Sequence, residues 1–333
     1  MKIKDLKLAI ALCVIFFSLR SHAGPDVEIV DKEALAILSA DAKLVKLAEG
    51  FKWTEGPLWV DKDGGYLLFS DIPNNQVLKY SDQAGLSVYL EPSGATGIAP
   101  HDSKQGSNGL LLNNEGQLVL LQQGDRRVAV MDAPLHSPVP KFITLAGEFD
   151  GKRFNSPNDA VYHKNGDLYF TDPTYGLTGG AESPHRELDV MGIYAVSPDG
   201  SVRLIDDSIK FPNGIGLSPD NRKLYVGVSD NEMPRWYAFD LDKSGNASNK
   251  QVIYDAFEYK KKSGQPGYPD GMAVSSKGII FGTGPGGVWV FSPEGKLLAR
   301  IQTGKATANC ALSADEKTLF LTAHDVVYSF PLK

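Results

Sequence analysis

The sequence predicts an all-β fold, a six-bladed β-propeller closed by its own N-terminal strand, from three observations. Six short segments share one pattern: TEGPLWV at Glu55, SNGLLLN at Asn108, PNDAVYH at Asn158, PNGIGLS at Asn213, PDGMAVS at Asp270 and ANCALSA at Asn309. In each, a carboxylate or amide stands beside a small or turn-forming residue, and an apolar run follows. These segments recur roughly every 40 to 57 residues, near the period of four-stranded blades. Between them lie short apolar and aromatic runs bounded by Asn-Gly, Asp-Gly and Pro-Asp turn signals, and a sustained 3.6-residue period is nearly absent.

In chain order, the first element is an export signal over 1–23. MKIKDLK is a basic leader, LAIALCVIFFSL an apolar core too short to span a bilayer, and Ser21-His22-Ala23 a small-x-small cleavage site. This predicts a periplasmic or secreted protein with no stable membrane anchor after cleavage. Residues 24–41 form a lead with a possible short helix over DKEALAILSA, 31–40. The propeller then occupies 42–333. After Asn309 the chain holds residues for only about three strands, so AKLVKLAEGF, 42–51, is expected to supply the fourth strand of the last blade and leave no open edge. No Pro/Ser-rich or charged linker divides the repeats, and the 34 glycines suit a chain with many tight turns. Once Cys13 leaves with the signal, Cys310 is the one cysteine remaining, which excludes an internal disulfide.

Charge narrows the function classes. The formal net charge is −6, and removing Lys2, Lys4, Lys7 and Arg20 with the signal makes the chain more acidic. The basic run Lys260-Lys261-Lys262 reads as a solvated loop, so nucleic acid is a poor partner. No G-x-S-x-G nucleophile elbow occurs. GTGPGG at 282–287 is followed by the strand-like VWVF and not by a helix, so its glycines read as a turn.

In a propeller, equivalent positions on the innermost strands meet at one end of the central channel. Glu55, Asn158, Asn213 and Asp270 then offer two carboxylates and two amides with no His or Cys. Such hard oxygen donors favour Ca2+, with Mg2+, Mn2+ or Zn2+ as alternatives. Asn-Gly and Asp-Gly pairs are also routine turn formers, but a turn preference does not explain Glu55, nor an oxygen donor at the same position in all six repeats.

At these residues the chain resembles the SMP-30/gluconolactonase/LRE family. The resemblance rests on EGPLW at 55–59, RFNSPND and YFTDPTYGL at 153–159 and 169–177, FPNGIGLSPD at 211–220, YPDGMAV at 268–274 and ANCALSADEKTLFLTA at 308–323. It implies that Glu55, Asn158, Asn213 and Asp270 ligate one divalent cation, usually calcium, and that Asp270 is the catalytic base. It also implies hydrolysis of sugar lactones, with Asn108 and Arg153 at substrate-pocket positions; Tyr175 could line the same pocket. The second repeat departs from the family pattern. LLQQGDRRV at 120–128 has Gln122-Gln123 where relatives often have an acidic residue followed by His, and GATGIAPHDSKQG, 94–106, is inserted before Asn108.

Three functions are therefore expected in order. The first is a lactone hydrolase acting on a small-molecule sugar lactone. The second is a phosphotriesterase or other esterase at the same site, and the third a non-catalytic propeller that binds a carbohydrate or a protein. The sequence carries no signature of oligomeric state.

Overall fold

The computed structural model describes residues 26–99 and 103–333. The signal segment lies outside these residues, as do three positions of the 94–106 insertion.

Six antiparallel sheets form the six blades, each starting at one of the repeated segments. Their innermost strands are Thr54–Val60, Ser107–Leu112, Ala160–Tyr162, Pro212–Leu217, Met272–Val274 and Thr307–Leu312. These strands touch their neighbours in sequence order, and the sixth touches the first, so the ring is closed. Each of the first four blades continues outward through its next three strands. One example is the second blade, which proceeds through Leu118–Gln122, Arg127–Met131 and Phe142–Ala146.

Val45–Glu49 pairs antiparallel with Val326–Pro331 and becomes the outer strand of the sixth blade, as the strand count from Asn309 requires. One further strand was not anticipated. Val27–Ile29 pairs with Leu297–Gln302 and gives the fifth blade a fifth strand. The expected short helix is a 3-10 turn over Lys32–Ala36, capped by the Asp31 carboxylate, which accepts from the Glu33 amide. The lead thus joins the outer edges of two adjacent blades.

The core is divided into wedges between neighbouring sheets, because each sheet buries both of its faces against the next. Leu68, Val77, Leu118 and Leu120 pack between the first and second blades. Leu121, Val128, Phe170 and Tyr194 pack between the second and third. The wedge between the fifth and sixth blades combines Val288, Val290, Leu319, Leu321 and Phe330 with Val27, Ala34 and Leu38 from the lead. The lead is therefore part of the core. Leu38 is fully buried, and Leu38→Ala is expected to destabilise the fold by about 2–5 kcal/mol through lost burial and the cavity it leaves, measured by urea denaturation.

Candidate active site

The six repeated oxygen donors stand at or just before the innermost strands. Pinning bonds between blades hold their backbones. Ser70 Oγ donates to the Asn108 carbonyl (2.8 Å), Thr171 Oγ1 to the Asn213 carbonyl (2.6 Å) and Thr283 Oγ1 to the Ala308 carbonyl (3.0 Å), each reaching from a second strand to the next blade. The Gly109 amide donates to the Asn158 carbonyl (2.8 Å) and the Gly271 amide to the Ala308 carbonyl (2.7 Å).

Where glycine follows the donor, as at Gly56, Gly109, Gly214 and Gly271, the close approach of the next blade requires it. A Cβ on Gly56, whose φ is +52°, would stand 2.1 Å from the Asn108 carbonyl oxygen, and one on Gly214 would stand 2.2 Å from that of Asp270. The other two repeats have Asp159 and Cys310 at this position.

Glu55, Asn108, Asn158, Asn213, Asp270 and Tyr175 all line one cavity of about 930 Å³ at the channel mouth. Asn309 lies deeper. With Asp159, Gly56 and Cys310 it lines a smaller space of about 200 Å³ on the axis. The Asn309 Nδ2 donates to the Asp159 carboxylate at 3.4 Å. Arg153 is on the short hairpin formed by Glu148–Phe149 and Lys152–Arg153 and is not among the residues lining the large cavity. Tyr175 stacks on Phe211 with ring centroids 5.8 Å apart, and Trp53 and Tyr268 complete an aromatic rim.

Several donors have a spare oxygen. The Ser229 hydroxyl donates to the Pro269 carbonyl (2.8 Å) and accepts from Asn213 Nδ2 (3.0 Å), which orients the amide and leaves Asn213 Oδ1 without a partner among the described residues. Asp270 Oδ1 is likewise buried and unpartnered, as is Asn108 Oδ1. One Glu55 oxygen accepts from the Gly56 amide at 2.8 Å. Asn158 is carried on a loop clamped by Asp172, whose two oxygens accept from the Asn155 and Ser156 amides, both at 2.7 Å.

Electrostatically the site is acidic. Burial, and then the charge of Asp159, pushes the Glu55 carboxyl up to about 8. Burial first, then Glu55 and Asp159, raises Asp270 well above the ordinary carboxylate range. Burial also lifts Asp159 to about 6. Such groups call for a cation or for protons. Among the described residues no three His, Cys, Asp or Glu side chains gather in metal-ligand geometry; two carboxylates and two amides form a set with only two members of that group.

Asp159 and the rim residues Trp53, Phe211 and Tyr268 were missed by sequence reasoning, whereas Gln123 stood out as a departure from the family pattern and Tyr175 as a pocket residue. Asp159 had a legible signal, because it stands where four of the six repeats have glycine. The rim residues come from separate loops and had none.

Comparison with known proteins gives a consistent placement. The profile of the SMP-30/Gluconolactonase/LRE-like region matches residues 53–325. A gluconolactonase of Zymomonas mobilis is 37% identical over 298 residues, covering 88% of this chain and 82% of that protein. The solved structure of a gluconolactonase from Xanthomonas campestris superposes with a TM-score of 0.78 at 28% identity, covering 94% of this chain and 96% of that one. A diisopropyl-fluorophosphatase of Loligo vulgaris is 24% identical over 304 residues, covering 84% of this chain and 88% of that protein. With a match across nearly the whole propeller, the chain belongs to the SMP-30/gluconolactonase/LRE-like family.

Proposed function

We propose that this protein is an exported, divalent-cation-dependent hydrolase that opens sugar lactones, with Asp270 as its base. One observation carries the reading: Glu55, Asn158, Asn213 and Asp270 line a single cavity, and two of them keep buried oxygens with no internal partner. The relationship to a gluconolactonase at 37% identity supports the substrate class. The leader at 1–23 supports export.

The four donors suit a divalent cation. They are hard oxygen ligands, two are acidic, and burial makes their charge costly unless it is compensated. Ca2+ matches the set best, with Mg2+, Mn2+ or Zn2+ as alternatives. A bound cation would supply a Lewis acid that polarises the lactone carbonyl and offsets the charge its oxygen gains. Asp270 Oδ1 is free of internal bonds, so it can accept a proton from the attacking water and return it to the ring oxygen as the acyl bond breaks. The product is the open hydroxy acid. Tyr175, Phe211 and Trp53 wall the cavity and present apolar faces to the ring of the substrate.

The relationship to a diisopropyl-fluorophosphatase favours a second reading, hydrolysis of phosphotriesters at the same residues. Turnover of glucono-1,5-lactone and of an aryl phosphotriester by one preparation separates the two.

Lactone hydrolysis is expected to vanish on chelation and to return with Ca2+; undiminished activity in a metal-free sample would overturn the proposal. Asp270→Asn is expected to lower kcat by about 10²–10⁴-fold. The pH dependence follows from the raised carboxyls. Protons compete with the cation for Glu55, so calorimetric affinity for Ca2+ should weaken steadily as the pH falls below about 8. In the cation-free protein the sign is reversed. A carboxyl whose pKa rises on folding favours the folded state below its unfolded value, and that contribution is lost as the pH climbs through the folded value. Thermal stability in chelator should therefore decline from about pH 5 to pH 8, and a saturating cation should restore it.

A further inference from the structure

The first and third blades carry the same arrangement beneath their donors. Their second strands, Tyr66–Asp71 and Leu168–Asp172, end in Phe-Ser-Asp and Phe-Thr-Asp. The hydroxyl residue of each triplet, Ser70 or Thr171, pins the next blade. The aspartate that follows turns back to its own blade. Asp71 Oδ1 accepts from the Lys52 amide (3.3 Å) and the Trp53 amide (3.2 Å), three and two residues before Glu55. Asp172 accepts from the amides of Asn155 and Ser156 (2.7 Å each), three and two residues before Asn158. Offset and chemistry are the same in both.

These amides lie ahead of the innermost strands Thr54–Val60 and Ala160–Tyr162, and among the described residues they make no backbone hydrogen bond. The carboxylates take the place of a strand partner. Both are buried, Asp71 at 1% exposure and Asp172 at 0%, and a buried charge is costly unless such bonds compensate it.

The second blade supplies the contrast. Gln122 ends its second strand and stands opposite Ser107, as Asp71 stands opposite Thr54. Its side chain donates to the Ser93 carbonyl (2.8 Å) and accepts from Arg127 Nε (2.7 Å), and it holds no amide ahead of Asn108. Asn213 and Asp270 are held in another way, since the Ser229 hydroxyl bonds both Asn213 Nδ2 and the carbonyl of Pro269, the residue before Asp270. The carboxylate clamp thus stands beneath Glu55 and Asn158 and is missing beneath Asn108, which lies outside the donor set.

We propose that Asp71 and Asp172 are positioning residues of the cation site, each presetting one donor, Glu55 or Asn158, through the backbone ahead of it. A donor fixed in advance keeps the entropy of ordering out of the binding step. This role rests on the cation-dependent reading above.

The clamps differ in one respect that a substitution reads out. Lys52 and Trp53 share Asp71 Oδ1, while Oδ2 accepts from Asn74 Nδ2 (2.7 Å), an amide that can turn its own oxygen towards an N–H donor. Asn155 and Ser156 take different oxygens of Asp172, so an asparagine there sets its NH2 against one of them.

Ca2+ affinity is measured by calorimetry on chelator-stripped wild type, Asp71→Leu, Asp71→Asn, Asp172→Asn and Gln122→Met, with the fold checked by circular dichroism. Kd for Ca2+ is expected to weaken by about 10–100-fold in Asp71→Leu and Asp172→Asn, and to return close to wild type in Asp71→Asn. Gln122→Met should lose thermal stability and keep its Ca2+ affinity, which separates positioning from general destabilisation. Unchanged affinity in Asp71→Leu or Asp172→Asn, no recovery in Asp71→Asn, or equal weakening in Gln122→Met overturns the positioning role and leaves the cation reading standing. If Asp71→Leu does not fold, Asp172→Asn, which keeps the side chain's size and shape, decides alone. A wild type that binds no divalent cation overturns both.

Discussion

The contact between adjacent innermost strands is the constraint on which everything else in this molecule depends. Ser70, Thr171 and Thr283 donate from one blade to backbone carbonyls at the start of the next. Glycine after the donor lets those backbones meet, since a Cβ at Gly56 or Gly214 would overlap a carbonyl of the neighbouring blade. The six donors reach the axis because the strands below them are pinned at this spacing. The outer strands, the wedge-shaped cores and the closure by Val45–Glu49 keep that ring from opening.

Bringing these donors together has an electrostatic consequence. Glu55 is buried and Asp159 and Asp270 are half-buried beside it; desolvation raises each carboxyl, with mutual repulsion adding to the shift of Glu55 and Asp270. A fold that spends stability in this way holds a site ready for compensating charge. The spare oxygens of Asn213 and Asp270 are the same arrangement seen through hydrogen bonding: Ser229 and the strand backbones satisfy part of each group, and the remainder is left for a ligand.

Much of this was legible in the sequence for a physical reason. A propeller repeats one local solution, so its signal recurs six times and the alignment of Glu55, Asn108, Asn158, Asn213, Asp270 and Asn309 rises above ordinary turn composition. The need for a fourth strand in the last blade followed from chain length alone, and Val45–Glu49 fills it. The fifth strand Val27–Ile29 was not legible, because three residues paired with an outer edge carry no periodicity of their own. Arg153, which a motif position associates with the substrate pocket, stands on a hairpin outside the residues that line the large cavity.

The sequence by itself determined the repeat, the closure and the chemistry of the donor set, since these depend on residue type at a regular interval. Only the tertiary structure decided how the ring divides. Asn309 and Asn158 occupy the same place in the repeat, yet Asn158 lines the mouth while Asn309 lies deeper with Asp159. Likewise, nothing in the pair Gln122-Gln123 tells which amide is spent on the scaffold and which is left free. That distinction depends on what the rest of the chain places beside each group, and a repeat pattern specifies positions along the chain without specifying neighbours across the axis.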